Sequence, residues 1–398
     1  MSWGYEKLSI IAPSKPLKHP VISNSEKVWM LNLDMVEANS GQVIDKQKSP
    51  LSTAGSSTHW FDTSHVLYSK LRPYLNKVVM PDEEGLATTE LVPLKPDSKR
   101  LDRAYLTYYL RSKTFVDWIS EQVAGAKMPR VSMNVFWNHE IPIPFPDDPA
   151  KSLAEQKRIA AILDKADAIR RKRKQAIQLA DDFLRAVFLD MFGDPVTNPK
   201  GWEVKSMKNL IAIQGGYAFK SGDFGKVGIP VVKIGNANKL GFTTKGFSFI
   251  EPENPDVLRK YELYAGDLLM SLTGTVGKDD YANVTEVTNE YEMYYLNQRV
   301  AKITVNESEI SKNYLKFFLS EPQIKGEITK NNRGVRQANI GNADIYSLNV
   351  PIPSLRDLVK FDSIVKQVNK MSFNTEKAPE YSNAFFNTLS QKAFAGEL

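Results

Sequence analysis

The segment Ile141-Pro142-Ile143-Pro144 recurs as Val350-Pro351-Ile352-Pro353, 209 residues further along the chain. The same offset aligns the aromatic run at 104–110 (AYLTYYL) with 313–319 (NYLKFFL). After the Pro-rich segments the first copy has seven extra residues, so the offset becomes 202 and then holds over about forty residues. Self-similarity at one long period indicates tandem duplication. The chain is therefore predicted to contain two related halves.

Each half ends in a long helical tail, in which apolar or small residues recur in alternating steps of three and four, as in a heptad repeat. In the first tail this seam comprises Ile159, Ile162, Ala166, Ile169, Ala176, Ala180, Phe183 and Val187, and the charged Arg173 takes the place between Ile169 and Ala176. In the second it comprises Phe361, Ile364, Val368, Met371, Thr375, Ala378, Ser382, Phe385 and Leu389. Two such stripes in one chain are most simply buried against each other. Pro379 is predicted to kink or split the second helix near Lys377, because proline removes a helical N–H.

These patterns predict an α/β (α+β) fold with two globular domains, at residues 1–150 and 196–353. A helical tail follows each domain, at 151–195 and 354–398, and the two tails are predicted to pack antiparallel with pseudo-two-fold symmetry. Each domain is expected to combine short strands with one aromatic-rich helix, at about 102–122 and about 311–319.

The composition excludes several classes of protein. The 398 residues include no cysteine, which rules out disulfides and thiolate metal sites, and the four histidines form no helical pair at metal-ligand spacing. No apolar run approaches the ~20 residues that span a bilayer, and the beginning of the sequence lacks the pattern of a signal peptide. A net charge of +6 suits a nucleic-acid binder but also many enzymes. A cytoplasmic, metal-free protein is expected.

No catalytic constellation is evident in the sequence. The segment Gly274-Thr275-Val276-Gly277-Lys278 is not a phosphate-binding P-loop, because Leu272 and Asp279 stand where that loop needs Gly and Ser/Thr. There is no methyltransferase-type Asn/Asp-Pro-Pro-aromatic stretch and no Gly-rich cofactor loop, and Asp147-Asp148 lacks a nuclease lysine after it. The chain is predicted to be non-catalytic and to bind no cofactor.

Several motifs, which cover the whole chain in order, resemble those of type I restriction–modification specificity subunits. They are Leu67–Lys77 (LYSKLRPYLNK), Ala154–Ile159 (AEQKRI), Gly215–Ser221 (GGYAFKS), Gly266–Lys278 (GDLLMSLTGTVGK), Leu296–Val300 (LNQRV), Gly334–Ile340 (GVRQANI) and Ala393–Leu398 (AFAGEL). The first half lacks the Gly-Trp-Glu opening found at residues 201–203.

The resemblance implies two target-recognition domains, each of which reads one half of a split double-stranded DNA site, held apart by the two tail helices. It also implies that two methyltransferase subunits dock on the chain and that restriction/translocase subunits join them. S-adenosylmethionine, ATP and Mg²⁺ would then belong to those partners, which act as an adenine methyltransferase and an ATP-dependent endonuclease.

Candidate DNA contacts are basic, aromatic, hydroxyl and amide residues in these motifs or at matched places near 127–130 and 333–339 in the two halves, because such side chains bind phosphates and base edges. They are Lys70, Arg72, Tyr74, Lys77, Lys127 and Arg130 in the first half, and Lys220, Thr273, Thr275, Lys278, Arg333, Arg336, Gln337 and Asn339 in the second. Lys70, Arg72, Tyr74 and Lys77 alternate with apolar residues, so several of them are expected on one face of a strand or turn. Contact with the DNA backbone, reading of bases and a purely structural role all remain open for these residues. Alternative functions are a helical interaction scaffold with no role in DNA binding and, with less support, a nuclease.

Overall fold

The computed structural model divides the chain into two compact units. The residues that it describes are 2–124, 128–239, 241–330, 337–376 and 378–398. Unit 1 comprises Met1–Gln175 and Thr375–Leu398, and unit 2 comprises Ala176–Asn374. Each unit thus contains a globular region, the start of the tail that follows it and the end of the other tail.

The helices account for both tails and for short segments within the globular regions. They are α1 (Leu8–Ile11), α2 (Arg103–Arg111), α3 (Lys113–Glu121), α4 (Met133–Asn138), α5 (Pro149–Phe192), α6 (Pro255–Leu258), α7 (Lys312–Ser320), α8 (Pro322–Thr329), α9 (Asn342–Tyr346), α10 (Leu355–Glu376) and α11 (Ala378–Ala395). Lys377 lies outside the described residues, so the kink expected there stays a prediction.

The strands of unit 1 are short, and within its described residues they form four small sheets. They are β1 (Trp3–Lys7), β2 (Lys27–Leu31), β3 (Lys48–Pro50), β4 (Thr58–Phe61), β5 (Val66–Ser69), β6 (Val78–Val79), β7 (Gly85–Thr88), β8 (Leu91–Leu94), β9 (Val123–Ala124), β10 (Arg130–Val131) and β11 (Glu140–Pro144). The sheet orders are β3-β2-β7-β4, β6-β5-β8, β1-β11 and β10-β9. The β2–β7 pair is parallel and the other pairs are antiparallel.

Unit 2 has a similar set of strands. They are β12 (Glu203–Ser206), β13 (Ile211–Gly215), β14 (Ile229–Val232), β15 (Ala237–Asn238), β16 (Gly241–Phe242), β17 (Ser248–Ile250), β18 (Glu262–Leu263), β19 (Leu268–Ser271), β20 (Thr273–Thr275), β21 (Val284–Glu286), β22 (Tyr294–Leu296), β23 (Val300–Val305), β24 (Gln337–Asn339) and β25 (Asn349–Ile352). The sheet orders are β13-β23-β19-β21, β17-β14-β22-β18, β12-β25, β15-β16 and β20-β24. The predicted α/β (α+β) class is confirmed.

The first strand of each unit pairs with the Pro-rich segment that precedes the tail. Tyr5 faces Pro142 in the β1–β11 pair, and Val204 faces Pro351 in the β12–β25 pair. This register makes Trp3 the equivalent of Trp202. The first half therefore has the tryptophan of the Gly-Trp-Glu opening, although its flanking residues differ and the sequence comparison missed it.

The predicted aromatic helix of the first half is in fact two helices, α2 and α3, because Ser112 ends one and caps the next. The Ser112 hydroxyl accepts a hydrogen bond from the Phe115 N–H at 3.3 Å, the usual role of an N-cap serine. The hydroxyl of Tyr105 on α2 donates to the Pro142 carbonyl at 2.7 Å. In unit 2 the hydroxyl of Tyr314 on α7 donates to Pro351 at 2.8 Å, so the same bond ties helix to strand twice.

In unit 1, α11 runs antiparallel to the first part of α5. Arg158 on α5 donates from Nη2 to the carbonyl oxygen of Leu398 at 3.1 Å. Twelve residues later, the Arg170 guanidinium lies over the Phe386 ring, 4.8 Å from its centroid. Residue numbers therefore rise along one helix as they fall along the other, which is the predicted antiparallel arrangement.

In unit 2, the second part of α5 packs against α7 and α10 through aromatic rings. Phe188 is fully buried, and its ring centroid lies 5.3 Å from that of Tyr314 and 5.8 Å from that of Phe361. Phe192 approaches Phe361 at 5.3 Å in an edge-to-face arrangement. These rings anchor both tails in the core of unit 2.

The predicted heptad seam is confirmed only in part. Ile159 and Phe361 are buried, but Ile169 is 50% exposed and Phe183 is 53% exposed. The equivalent positions of the second tail, Met371 and Phe385, are 70% and 60% exposed. The reason is that each tail packs on a globular region, so that other faces of α5 enter the cores, through Ala160 and Leu163 in unit 1 and through Leu184 and Phe188 in unit 2.

Ser390 on α11 stands where α5 has Phe188, and its hydroxyl is buried without a hydrogen-bond partner among the described residues. Because an unsatisfied buried hydroxyl is costly, Ser390→Ala is expected to stabilise the protein by about 1 kcal/mol. The midpoint of unfolding in urea should rise accordingly. The matched control is Ser152→Ala, since the Ser152 hydroxyl accepts a bond from Gln156 Nε2 at 3.0 Å and its loss should lower the midpoint. A lowered midpoint for Ser390→Ala would show that the Ser390 hydroxyl stabilises the fold and is not unsatisfied.

Candidate nucleic-acid interface

A two-stranded ribbon in unit 2 brings together two candidate segments that are more than sixty residues apart. In the β20–β24 pair, Thr273 faces Asn339 and Thr275 faces Gln337. Between them, Ala338 is fully buried in the core of unit 2. Because side chains alternate across a strand, Thr275, Gln337 and Asn339 lie on the outer face, and all three are exposed. Thr273, on the same face, is 8% exposed.

The turn after β20 presents Lys278 to solvent. The Lys278 N–H donates to the Thr275 carbonyl at 3.0 Å, and Gly277 adopts a φ of 76°, which favours glycine. The Thr275 N–H donates to Asp280 Oδ1 at 2.7 Å, and this bond lowers the pKa of Asp280. The turn is thus held by its own backbone, so that Lys278 is available for an anionic partner.

A second turn, Asn297-Gln298-Arg299, borders the ribbon. The Leu272 N–H donates to the Arg299 carbonyl at 3.0 Å, and the Ile340 N–H donates to the Leu272 carbonyl at 3.0 Å. Gln298 in turn donates from its N–H to the Tyr217 carbonyl at 3.0 Å. Backbone hydrogen bonds therefore join four sequence motifs of the second half, at residues 215–221, 266–278, 296–300 and 334–340. The structure describes the last of these motifs from residue 337 onward. We call this surface the unit 2 platform.

The unit 2 platform exposes two residues that were not among the candidates, Gln298 and Arg299. The motif LNQRV contained them, but its spacing alone gave no reason to prefer either side chain over the apolar ones. Lys220, a candidate, is exposed at the start of the 3₁₀ helix Ser221–Asp223, where its N–H donates to Asp223 at 2.8 Å.

Unit 1 contains the same backbone pairing and hydrogen bonds as the ribbon of unit 2. Leu71 pairs with Arg130, as Thr273 pairs with Asn339, and the Val131 N–H donates to the Lys70 carbonyl at 2.9 Å. The Lys70 N–H donates to the Glu90 carbonyl at 3.0 Å, which matches the bond from Leu272 to Arg299. We call this surface, formed by Lys70–Arg72, Glu90 and Pro129–Val131, the unit 1 platform.

The candidates at 70–77 do not lie along one strand face, so that part of the expectation is wrong. β5 ends at Ser69, and the 3₁₀ helix Pro73–Leu75 follows Arg72, whose φ is 50°. Lys70 and Arg72 are half-buried, and Arg72 Nη2 lies 3.4 Å from the Met128 sulfur. Tyr74 is 50% exposed. Lys77 donates to the Leu33 carbonyl at 2.5 Å, and burial lowers its pKa.

Arg130 is the candidate with the best-defined partner. Its Nε and Nη2 donate to Glu90 Oε1 at 3.1 and 3.0 Å, in a two-point ion pair. The Arg130 side chain is nevertheless 49% exposed. Lys127, Arg333 and Arg336 lie outside the described residues and stay predictions.

Among the residues that the structure describes, no cluster of three or more His, Cys, Asp or Glu could hold a metal ion. In the same part of the chain, no helix is both long and apolar enough to cross a membrane.

Two segments of the chain, 61–179 and 199–379, match the family described as type I restriction modification DNA specificity domain. The chain is 26% identical over 320 residues to the type I restriction enzyme MjaVIII specificity subunit of Methanocaldococcus jannaschii, covering 74% of this chain and 72% of that one. It is 25% identical over 197 residues to the EcoDI specificity subunit of Escherichia coli, covering 49% and 43%.

Solved structures share the fold. The type I restriction–modification S subunit from M. genitalium matches with a TM-score of 0.54 at 14% identity, over 99% of this chain and 96% of that one. A chain from a structural study of type I system assembly and conformational transition matches with a TM-score of 0.51 at 16% identity, over 100% and 98%. Specificity subunits are the non-catalytic subunits of these systems. The chain belongs to the type I restriction–modification specificity subunits and carries two copies of their DNA specificity domain.

Proposed function

We propose that this chain recognises a bipartite double-stranded DNA target, with one half-site read by each globular region. The observation that carries the proposal is the platform, which occurs once in each unit with the same backbone hydrogen bonds. Exposed amide, hydroxyl and guanidinium groups on a two-stranded ribbon suit the major groove, which admits such a ribbon. A pair of related domains suits a target that is read in two halves.

The proposed contacts follow from the exposure of the candidate side chains. The exposed candidates are Lys220, Thr275, Lys278, Gln337 and Asn339 in unit 2, and Tyr74 and Arg130 in unit 1. Lys70 and Arg72 are half-buried and Thr273 is 8% exposed, and these three are retained because they lie on the platforms. Lys77 is a weaker candidate, because its ammonium group already binds the Leu33 carbonyl. Lys127, Arg333 and Arg336 are retained from the sequence motifs alone.

We further propose that the tails dock two methyltransferase subunits, to which restriction/translocase subunits add. Apolar side chains exposed at equivalent positions of both tails, Ile169 with Met371 and Phe183 with Phe385, support this role. S-adenosylmethionine, ATP and Mg²⁺ would then be bound by the partners. The proposed complex acts in the cytoplasm.

Exchange of residues 1–150 for the equivalent region of a related subunit is expected to change one half of the methylated target only. The two globular regions make separate contacts, so their contributions should be nearly independent. The measurement is mapping of methylated adenines in cells that carry the hybrid. A simultaneous change in both half-sites would contradict the assignment of one domain to one half-site.

Lys278→Ala is expected to weaken duplex binding by the methyltransferase complex about equally for all sequences. Loss of one phosphate contact should also reduce the slope of log K against log salt by about 1. The matched control is Lys208→Ala, an exposed lysine on the 3₁₀ helix Met207–Asn209, which should leave the slope unchanged. If the wild-type complex shows no salt-dependent duplex binding, the interaction-scaffold alternative is favoured instead.

Phe183→Asp combined with Phe385→Asp is expected to weaken binding of the methyltransferase subunits roughly tenfold or more, as loss of buried aromatic anchors does. Affinity would be measured by sedimentation with purified subunits. The matched control is Val359→Asp, because Val359 is 61% exposed on α10 but has Lys157 at the equivalent position of α5. Equal effects of both substitutions would argue against a specific docking surface on the middle of the tails.

A further inference from the structure

One backbone position carries opposite charges in the two platforms. In unit 1 the carbonyl of Glu90 accepts from the Lys70 N–H, and in unit 2 the carbonyl of Arg299 accepts from the Leu272 N–H, both at 3.0 Å. The facing ribbon strand also differs, since it has Arg130 in unit 1 and Asn339 in unit 2. A constant backbone with different side chains is the arrangement expected of a surface that discriminates between sequences.

In unit 1 the side chains of Glu90 and Arg130 form an ion pair. Glu90 is 23% exposed, and it engages the Nε and Nη2 edge of Arg130. Within the described part of the chain, Nη1 of Arg130 has no hydrogen-bond partner. The guanidinium is therefore held in one plane, while its outer end, with N–H groups on both terminal nitrogens, remains available. Such an end can donate two parallel hydrogen bonds to O6 and N7 of guanine.

In unit 2 the arginine, Arg299, occupies the backbone position that Glu90 has in unit 1, and not the position of Arg130 on the facing strand. Arg299 is exposed, and no carboxylate pairs with it among the residues that the structure describes. The salt bridge in unit 1 shows that a side chain at this position reaches the side chain on the facing ribbon strand. Arg299 is accordingly placed to act beside the ribbon strand that carries Asn339.

We propose that Arg130 and Arg299 are specificity-determining residues that each read a guanine, in the first and the second half-site respectively. Glu90 is a positioning residue, which orients Arg130 without touching DNA. The inference rests on the proposed function, and it adds Glu90 and Arg299 to the residues that the motifs indicated.

The test is selection of bound duplexes from a library randomised at both half-sites, with the methyltransferase complex of each variant. Arg130→Lys and Glu90→Gln should relax the preference for guanine at the same single position of the first half-site, roughly tenfold or more. Glu90→Asp, which retains a carboxylate, should keep more of that preference than Glu90→Gln. Arg299→Ala should relax one position of the second half-site and leave the first unchanged.

Two exposed arginines serve as controls. Arg100→Ala in unit 1 removes a partner of Glu6, and Arg259→Ala in unit 2 removes a partner of Asp256. Neither substitution should alter the selected sequence. Thermal unfolding of each variant checks that the fold is retained, and a merely structural role of Glu90 would lower stability without changing one base preference.

The outcomes separate this inference from the proposed function. If the wild-type complex selects no bipartite duplex, the proposed function fails. If the wild type selects one and the arginine variants select the same bases, the inference alone fails. A uniform loss of affinity for all sequences, with a smaller salt dependence, would assign Arg130 and Arg299 to phosphates and overturn base reading.

Discussion

The packing of both tails into both cores is the constraint on which the rest of the structure depends. α5 is one helix of 44 residues, yet its first part belongs to unit 1 and its second part to unit 2. Each core is completed by the end of the other tail, through Phe386 in unit 1 and through Phe188 in unit 2. Neither globular region therefore buries its aromatic helices without residues that are distant in sequence.

The platforms depend on the same cores. Ala338 anchors the ribbon of unit 2 from below, and Val131 does so in unit 1, so the outer faces are free to vary. The backbone hydrogen bonds are the same in both units, whereas Glu90 has been replaced by Arg299 and Arg130 by Asn339. A duplicated scaffold with different surface charges is what the proposed recognition of two different half-sites requires.

Part of the site could be predicted from the sequence. Gln337, Asn339 and Lys278 could be predicted because they lie in motifs that resemble those of specificity subunits, and Arg130 because its segment matches one of these motifs in the other half. Glu90 and Arg299 were not found, because an isolated acidic or basic residue at the end of a strand carries no periodic signal. Their place on the platforms is set by backbone hydrogen bonds from Lys70 to Glu90 and from Leu272 to Arg299, which join residues about twenty to thirty positions apart in the sequence.

The sequence by itself determined the duplication, the two tails, the α/β (α+β) class and the family, because offsets and motif order are properties of the linear chain. Only the tertiary structure decided which face of each tail is buried. A heptad pattern predicts one stripe, but Ile169 and Phe183 are exposed, since each tail end packs on a globular region. The structure likewise decided which residues meet on a platform, because backbone hydrogen bonds between distant strands are set by the folded core and not by local spacing.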